Sequence, residues 1–454
     1  MATQSEQSRR IVRESNGNFS VHRGGYFDRE IFDRELRELF GKTWLFLAHE
    51  SEVPDPGDYV TRRLGADAVI VVRDENGNIN VLGNTCRHRG VGLCRSDRGN
   101  SSHFRCSYHG WTYANTGDLV GVTAVKDMYG KEFDKSRFGL YRAAQVETFC
   151  GLIFATWSAE APTLRDYLGD AAWYLEASLG SFDEGLQVFG PPIRTLVDTN
   201  WKAETENLGG DGYHTPITHQ SAFLMHMFAG PDEWEQMGKV IAKSYKGRVV
   251  DCGGGHTFRV HQLPVATEKP SYFGYPPEFW PEMTRNLDPG QIDIQSRLSV
   301  FHGNIFPNLT FIDNFKTDTE GSGGGGSATR YIRLTQQYPI APDVNEMLWW
   351  GLSPKALDPE LRQQSQRAWL RTVGPAGLFQ IDDNENFVSM ARGHSGPEIG
   401  DEDIVLEGGL QNEIATDVQW RGKVYDADKS EQTMRAFWRE WSKYMETPEN
   451  GSGA

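Results

Sequence analysis

Cys86-Arg-His88 and, after seventeen intervening residues, Cys106-Ser-Tyr-His109 decide how the first part of this chain folds. Each is a Cys-His pair of short spacing, and each fits on its own loop. A set of two thiolates and two imidazoles suits either a structural zinc or a [2Fe–2S] cluster with cysteines on one iron and histidines on the other. Spacing alone leaves both open. A zinc finger usually takes its cysteines from one loop and its histidines from another. Here each loop supplies one of each, the arrangement that clamps a diamond-shaped cluster from two sides, so the cluster reading is preferred.

Outward from these loops, residues 43–160 have the texture of a small all-β module. Runs such as Ala68-Val-Ile-Val-Val-Arg73 and Ile79-Asn-Val-Leu82 are separated by turn signals like Asp74-Glu-Asn-Gly77. Before the module, residues 1–42 hold a polar start. An amphipathic helix from Asp28 follows, with Ile31, Phe32, Leu36, Leu39 and Phe40 on its apolar face. After it, residues 161–454 mix longer strands and helices. We expect an α+β protein: the β module is inserted near the start of a larger domain of antiparallel sheet and helices, on which the N-terminal segment packs. The last stretch, Ser430 to Met445, places Met434, Phe437, Trp438, Trp441 and Tyr444 at helical spacing and predicts a packed C-terminal helix.

Composition narrows the function. A net charge of −16 and a pI near 5.3 argue against nucleic acid and anionic membranes as partners. No run approaches the ~18 apolar residues of a membrane span, and the N-terminus lacks the apolar core of a signal peptide, so a cytoplasmic location is expected. Five cysteines are too few, and odd in number, for a disulfide framework. Cys94, Cys150 and Cys252 are read as small buried hydrophobes.

Asp211-Gly-Tyr-His214-Thr-Pro-Ile-Thr-His219 carries a second constellation. The preceding Asn200–Asp211 reads as a helix interrupted by its glycines. Residues five apart on a regular helix are about 140° apart around the axis, so one ion can meet both imidazoles only if the helix is distorted. Pro216 supplies a cause, and a widened turn would bring the rings together. Farther on, Asp382-Asp383-Asn384 offers adjacent carboxylates. Two histidines and one carboxylate make the facial triad of oxygen-activating ferrous enzymes. Taken alone, the histidine pair would more often be two satisfied side chains near a helix end.

Cys86-Arg-His-Arg-Gly90 and Cys106-Ser-Tyr-His-Gly-Trp111 resemble the ligand loops of Rieske non-heme iron ring-hydroxylating dioxygenases, specifically large subunits of the naphthalene and biphenyl dioxygenase type. Trp44-Leu-Phe-Leu-Ala-His49, Pro56-Gly-Asp-Tyr59, Tyr167-Leu-Gly-Asp-Ala171 and Asn200-Trp-Lys-Ala203 extend the similarity over most of the chain. The resemblance implies that Cys86, His88, Cys106 and His109 hold the cluster, and that His214, His219 and Asp383, rather than Asp382, hold a mononuclear Fe(II). It implies that Asp211 joins His109 of one subunit to His214 of its neighbour, and that Asn207 lies near the iron. The alternative for Asp211 is a helix-end cap.

By the same matching, Leu208, His302, Ile312, Val373 and Phe379 line a substrate pocket. A polar ring at His302 hints at a substrate oxygen, carboxylate or heteroatom, against a histidine bonded to backbone. The run Ser221–Ala229 reads as a helix bordering the pocket or as ordinary core; the border is preferred, with Met225 and Met227 as adaptable fillers. Arg259, Arg297 and Arg330 have no place relative to the iron from sequence alone.

The implied activity is the terminal oxygenase step, adding both atoms of O2 to an aromatic ring to give a cis-dihydrodiol. The resemblance further implies electrons from NADH through a separate reductase and ferredoxin, which fits the lack of an NAD fingerprint here. An α3β3 hexamer with a small β subunit is implied. A Rieske monooxygenase or demethylase is the alternative, and a pure electron carrier a weaker one, because a carrier needs no second domain. The glycine-rich Asp251–His256 lacks a phosphate-binding context and is rejected as a cofactor site. The run 321–327 is read as a flexible connection between the strand-like segments 299–315 and 331–338.

Overall fold

The computed structural model describes residues 10–15, 17–221, 246–262, 272, 274–317, 328–396, 398–426 and 429–445. Met225, Met227 and the glycine-serine run 321–327 lie outside these. The chain divides into two compact units, Phe40–Leu164 and Met1–Leu39 with Arg165–Ala454.

The first unit is built almost entirely of antiparallel strands. Ile79–Gly83, Asp67–Arg73, Asp58–Leu64 and Arg98–Asn100 form one sheet in that order, and Leu45–His49, Leu152–Thr156 and Gln145–Phe149 a second. A third, of Leu119–Gly121, Thr112–Ala114 and His103–Arg105, carries the second Cys-His loop at its turn. Ile70, Val72, Leu82, Phe104 and Tyr113 pack beneath both loops.

The second unit is organised on a nine-stranded antiparallel sheet. We label its strands β1 (Leu186–Val188), β2 (Ile193–Val197), β3 (Lys246–Asp251), β4 (Thr257–Gln262), β5 (Leu298–Ile305), β6 (Leu309–Thr317), β7 (Ala328–Ala341), β8 (Val344–Pro354) and β9 (Lys423–Tyr425). The order is β1-β8-β7-β6-β5-β4-β3-β9, with β2 also paired to β8. The segment 299–315, read from sequence as one strand-like run, is a hairpin. It breaks around Pro307, which has no N–H to give to a ladder. Asp251–His256 is the β3–β4 turn, its three glycines all at positive φ. Asn18–His22 pairs with Asp403–Val405, so the N-terminal segment belongs to this unit.

Four helices matter for the site: α1 (Lys202–Gly210), α2 (Pro359–Thr372), α3 (Leu378–His394) and α4 (Gln432–Met445). The expected interruption of α1 by its glycines is not found; the helix runs through Gly209. A Cβ there would meet Thr257 Oγ1 at 2.9 Å, so this glycine lets the helix lie directly on β4 rather than ending it. Gly210, at φ +151°, closes the helix against Thr433 of α4.

The predicted N-terminal helix forms as Arg29–Arg34 continued by a wider turn, Glu35–Leu39, with Phe32 and Leu39 buried. Its unexpected feature is buried Glu35, which accepts from Lys202 Nζ (2.6 Å), Trp201 Nε1 (2.9 Å) and Trp441 Nε1 (2.7 Å). Two elements distant in sequence, the N-terminal helix and α4, are thereby tied to the start of α1. Among the described residues no helix is long and apolar enough to cross a membrane.

Candidate functional sites: a cluster pocket and a metal centre

The two Cys-His loops share one backbone plan. Cys86 N–H donates to Val91 O and Gly90 N–H to Cys86 O; Cys106 N–H donates to Trp111 O and Gly110 N–H to Cys106 O. In both loops the residue four after cysteine is a glycine at φ near +70°, a conformation that L side chains resist. Both cysteines are buried, and the rings of His88 and His109 lie 4.6 Å apart between centroids. His88 stacks on Trp111 at 8°, and its Nδ1 is buried without a hydrogen-bond partner.

Tyr113 Oη accepts from Arg87 N–H (3.0 Å) and lies 3.4 Å from Cys86 Sγ; a thiolate there can only accept, so a cluster-ligating Cys86 would take the phenol's proton as a hydrogen bond. Burial, then the cysteine, pushes this phenol well above its ordinary range. An orphaned imidazole nitrogen, two buried thiols and a phenol within reach of one sulfur fit a cluster held by Cys86, Cys106, His88 and His109.

In the second unit, Asp211, the C-cap of α1, leads by a sharp turn into a separate one-turn helix, Thr215–Thr218. The expected widened turn within one helix is therefore not what joins the histidines. His214 and His219 stand at the two ends of this short helix, and Pro216 lies in its first turn, where a missing N–H is harmless.

Asp383, on α3, faces both. His214 Nε2 is 3.5 Å and His219 Nε2 3.4 Å from Asp383 Oδ1, and the three donor atoms lie within 4.8 Å of one another. Ligand atoms bound at about 2.1 Å to one ion stand roughly 3–3.4 Å apart, so small movements would close this set on a metal. Asn207 Nδ2 lies 3.5 Å from both His214 Nε2 and Asp383 Oδ1.

The outward nitrogens have partners of one kind. His214 Nδ1 lies 3.2 Å from Asp211 Oδ2, an ion-pair distance with the N–H off-line for a hydrogen bond. Asp211 Oδ1 meanwhile accepts from the backbone N–H groups of Tyr213 and His214, so it also caps the turn. His219 Nδ1 lies 3.4 Å from Asp382 Oδ2. Asp382, set aside as a metal ligand in favour of Asp383, is the counterpart of Asp211. Its position next to Asp383 was the only sequence signal.

Electrostatics also favour a cation. Burial pushes Asp383 up to about 7, against the pull of His214 and Arg333. Burial, with His214 beside it, lowers His219 to about 4 and keeps it neutral. At Asp211, burial is outweighed by His214 and the backbone donors, so the carboxyl stays below its usual range. His214 is held above its usual value because Asp211 outweighs burial. A divalent ion in place of these protons would satisfy buried carboxylate and imidazoles together.

Leu208, Ile312 and Val373 are buried in one apolar cluster with Trp349 and Trp369, against which Phe379 packs. The Phe379 ring is 4.8 Å from that of His219, so the cluster borders the metal centre. His302 is buried with both nitrogens engaged: Nδ1–H donates to Leu208 O (2.8 Å), and Nε2 accepts from Arg259 Nη1 (3.1 Å). The backbone-bonded alternative for His302 is the one found. Burial and Arg259 hold it neutral, well below its usual value. Arg330 is buried against Asp313, and Arg297 pairs with Asp293 near the surface.

Residues 43–139 match the family model of the Rieske [2Fe-2S] domain, and residues 164–447 that of the ring hydroxylating alpha subunit, catalytic domain. The chain is 33% identical over 429 residues to the N,N-dimethyl phenylurea N-demethylase subunit alpha of Sphingobium sp. (strain YBL2), covering 92% of this chain and 90% of that one. It is 32% identical over 425 residues to the large oxygenase component of the naphthalene 1,2-dioxygenase system of Pseudomonas aeruginosa, with the same coverage. Among solved structures, naphthalene 1,2-dioxygenase from Rhodococcus sp. bound to indole superposes with a TM-score of 0.87 at 36% identity, over 95% of each chain.

Proposed function

The chain belongs to the ring-hydroxylating α-subunit family, with a Rieske [2Fe–2S] domain ahead of its catalytic domain, and from this we propose that it is the terminal oxygenase of an aromatic ring-hydroxylating dioxygenase system. The observation that carries the proposal is the convergence of His214 Nε2 and His219 Nε2 on Asp383 Oδ1 beside an apolar cluster. His214, His219 and Asp383 would hold a mononuclear Fe(II), and Cys86, His88, Cys106 and His109 the cluster. When bound, the iron supplies reductive activation of O2 and the cluster a stored electron. The overall change is arene plus O2, two electrons and two protons to a cis-dihydrodiol.

The chain's own residues orient and exclude. Asp211 and Asp382 turn the two imidazoles so that Nε2 faces the centre. Leu208, Ile312, Val373 and Phe379 give a planar ring an apolar surface and keep water from it. His302, fixed between Leu208 O and Arg259, holds up the end of α1 rather than meeting substrate. Asp211 keeps 19% of its side chain exposed. That leaves it able to accept from His109 of a neighbouring subunit, the short electron route that this family reading requires. A small β subunit in an α3β3 assembly, a ferredoxin, an NADH-dependent reductase and a cytoplasmic setting complete the proposal.

The similarity to an N-demethylase subunit favours a second reading, in which the same centre oxidises an N-methyl group. One experiment separates them: the reduced, iron-loaded protein is given ¹⁸O2 and a panel of neutral arenes, aromatic carboxylates and N-methyl arylureas. Two labelled atoms in a dihydrodiol are expected. Formaldehyde release with one labelled atom would replace the dioxygenase by the demethylase, and no turnover with both centres filled and ferredoxin supplied would count against both.

A further inference from the structure

We infer that Arg333, Glu204 and Gln380 form a positioning unit for Asp383, fixing where that carboxylate stands relative to His214 and His219. The inference rests on those three residues holding the metal, as proposed above.

The three side chains close a triangle. Arg333 Nη2 donates to Glu204 Oε1 (2.5 Å), Arg333 Nη1 to Gln380 Oε1 (2.9 Å), and Gln380 Nε2 to Glu204 Oε2 (3.1 Å). All three residues are at least 98% buried. A guanidinium only donates, a carboxylate only accepts, and an amide does one of each, so the ring of bonds admits a single orientation of Gln380. Each member comes from a different element: Arg333 from β7, Glu204 from α1, Gln380 from α3.

What the triangle touches next gives it a role. Asn207 follows Glu204 by three residues on α1, and Asp383 follows Gln380 by three on α3. Residues three apart share a helix face. The two helices therefore meet twice, first at the triangle and one turn later at the metal centre, where Asn207 Nδ2 faces Asp383 Oδ1. Gly377, at the N-cap of α3, offers no side chain to hold the first turn, so Gln380 supplies a polar hold there. Arg333 Nη1 also reaches Val373 O at 3.3 Å, and its guanidinium lies over Trp349, 4.8 Å from the ring centroid. One cation thus fixes a metal-ligand helix, the helix opposite it and one side of the apolar cluster beside the metal centre.

Stability alone is a poor reason for such a group. Buried ion pairs contribute little net stability, and apolar replacements of similar volume are often neutral or stabilising. What an apolar filling cannot supply is direction: it would let α3 rotate or slide by fractions of an ångström, which a three-ligand centre does not tolerate.

The test uses the full-length, cluster-loaded protein with its mononuclear iron removed, titrated with Co2+ and followed by the visible ligand-field bands and by chelator competition. The wild type should bind one Co2+ that His214→Ala abolishes. The triple variant Arg333→Met/Glu204→Met/Gln380→Met should keep the cluster absorption and the unfolding midpoint. Its Co2+ affinity should fall about tenfold or more, with altered bands. Gln380→Met alone leaves the Arg333–Glu204 pair in place, serves if the triple variant does not fold, and should shift the same bands. Wild-type affinity and bands in either folded variant would overturn the inference. Absence of His214-dependent Co2+ binding in the wild type would overturn the metal reading and the inference with it.

Discussion

Asp382 Oδ2 lies 3.4 Å from Nδ1 of His219, on the side of the ring away from Asp383. A carboxylate there selects the tautomer with the proton on Nδ1 and leaves the Nε2 lone pair for a metal. Asp382→Ala should therefore weaken iron retention by about 10–100-fold, while Asp382→Asn, whose amide oxygen still accepts, should lose less. Iron remaining after dialysis against a graded chelator series, with the cluster spectrum as internal control, measures both.

Tyr113 Oη lies 3.4 Å from Cys86 Sγ and would donate to it as a cluster-ligating thiolate. A donor to sulfur stabilises the more negative, reduced cluster and so raises its potential. A neutral hydrogen bond contributes about 0.5–1.5 kcal/mol net, which for one electron corresponds to roughly 20–60 mV. Tyr113→Phe should lower the midpoint by that amount without loss of cluster; an unchanged potential in protein-film voltammetry would contradict the assignment.

The cluster loops were readable because thiolate and imidazole at short spacing are rarely anything but ligands, and both loops are local in sequence. His214 and His219 were readable as a pair, but their geometry was not. Helical phase predicts a distorted turn, whereas the chain breaks at Asp211–Tyr213 and starts a new helix that periodicity cannot signal. Gly209 looked like a helix breaker and is a packing residue, because the atom that excludes a larger side chain is Thr257 Oγ1 on β4. The triangle was invisible. Its bonds span 47, 129 and 176 residues, and an arginine, a glutamate and a glutamine so separated carry no local pattern.

Gly210 combines φ +151° with a close approach: a Cβ there would stand 2.5 Å from Thr433 Oγ1. Gly210→Ala meets both the backbone penalty and overpacking against α4, together about 2–4 kcal/mol. The strain falls four residues before His214, so metal affinity should drop along with the unfolding midpoint. Pairing it with Thr433→Ala should recover part of the stability by removing the Oγ1 and Cγ2 contacts, while Thr433 Cβ, at 2.9 Å, and the backbone cost remain. Thermal scans of the two variants, read with their iron content, separate the contributions.

His256 gives the fold a definite response to acid. Its Nε2–H donates to Tyr167 O (2.9 Å), and its Nδ1 accepts from Phe306 N–H (3.1 Å), so the ring is neutral and has no site for a second proton. Burial lowers it to about 4, only partly opposed by the Tyr167 carbonyl. An unfolded histidine titrates near 6.5, so between these values the unfolded chain binds a proton that the folded chain refuses. Stability from this residue is complete above pH ~6.5 and is lost as pH falls toward 4, by about 3 kcal/mol in all. His256→Gln should be less stable at pH 7, since the two bonds are not both replaced. Its denaturation midpoint should nevertheless vary less between pH 7 and 4.5 than that of the wild type. Parallel pH dependences for the two proteins would show that His256 does not carry this acid sensitivity, whatever the difference in their absolute stabilities.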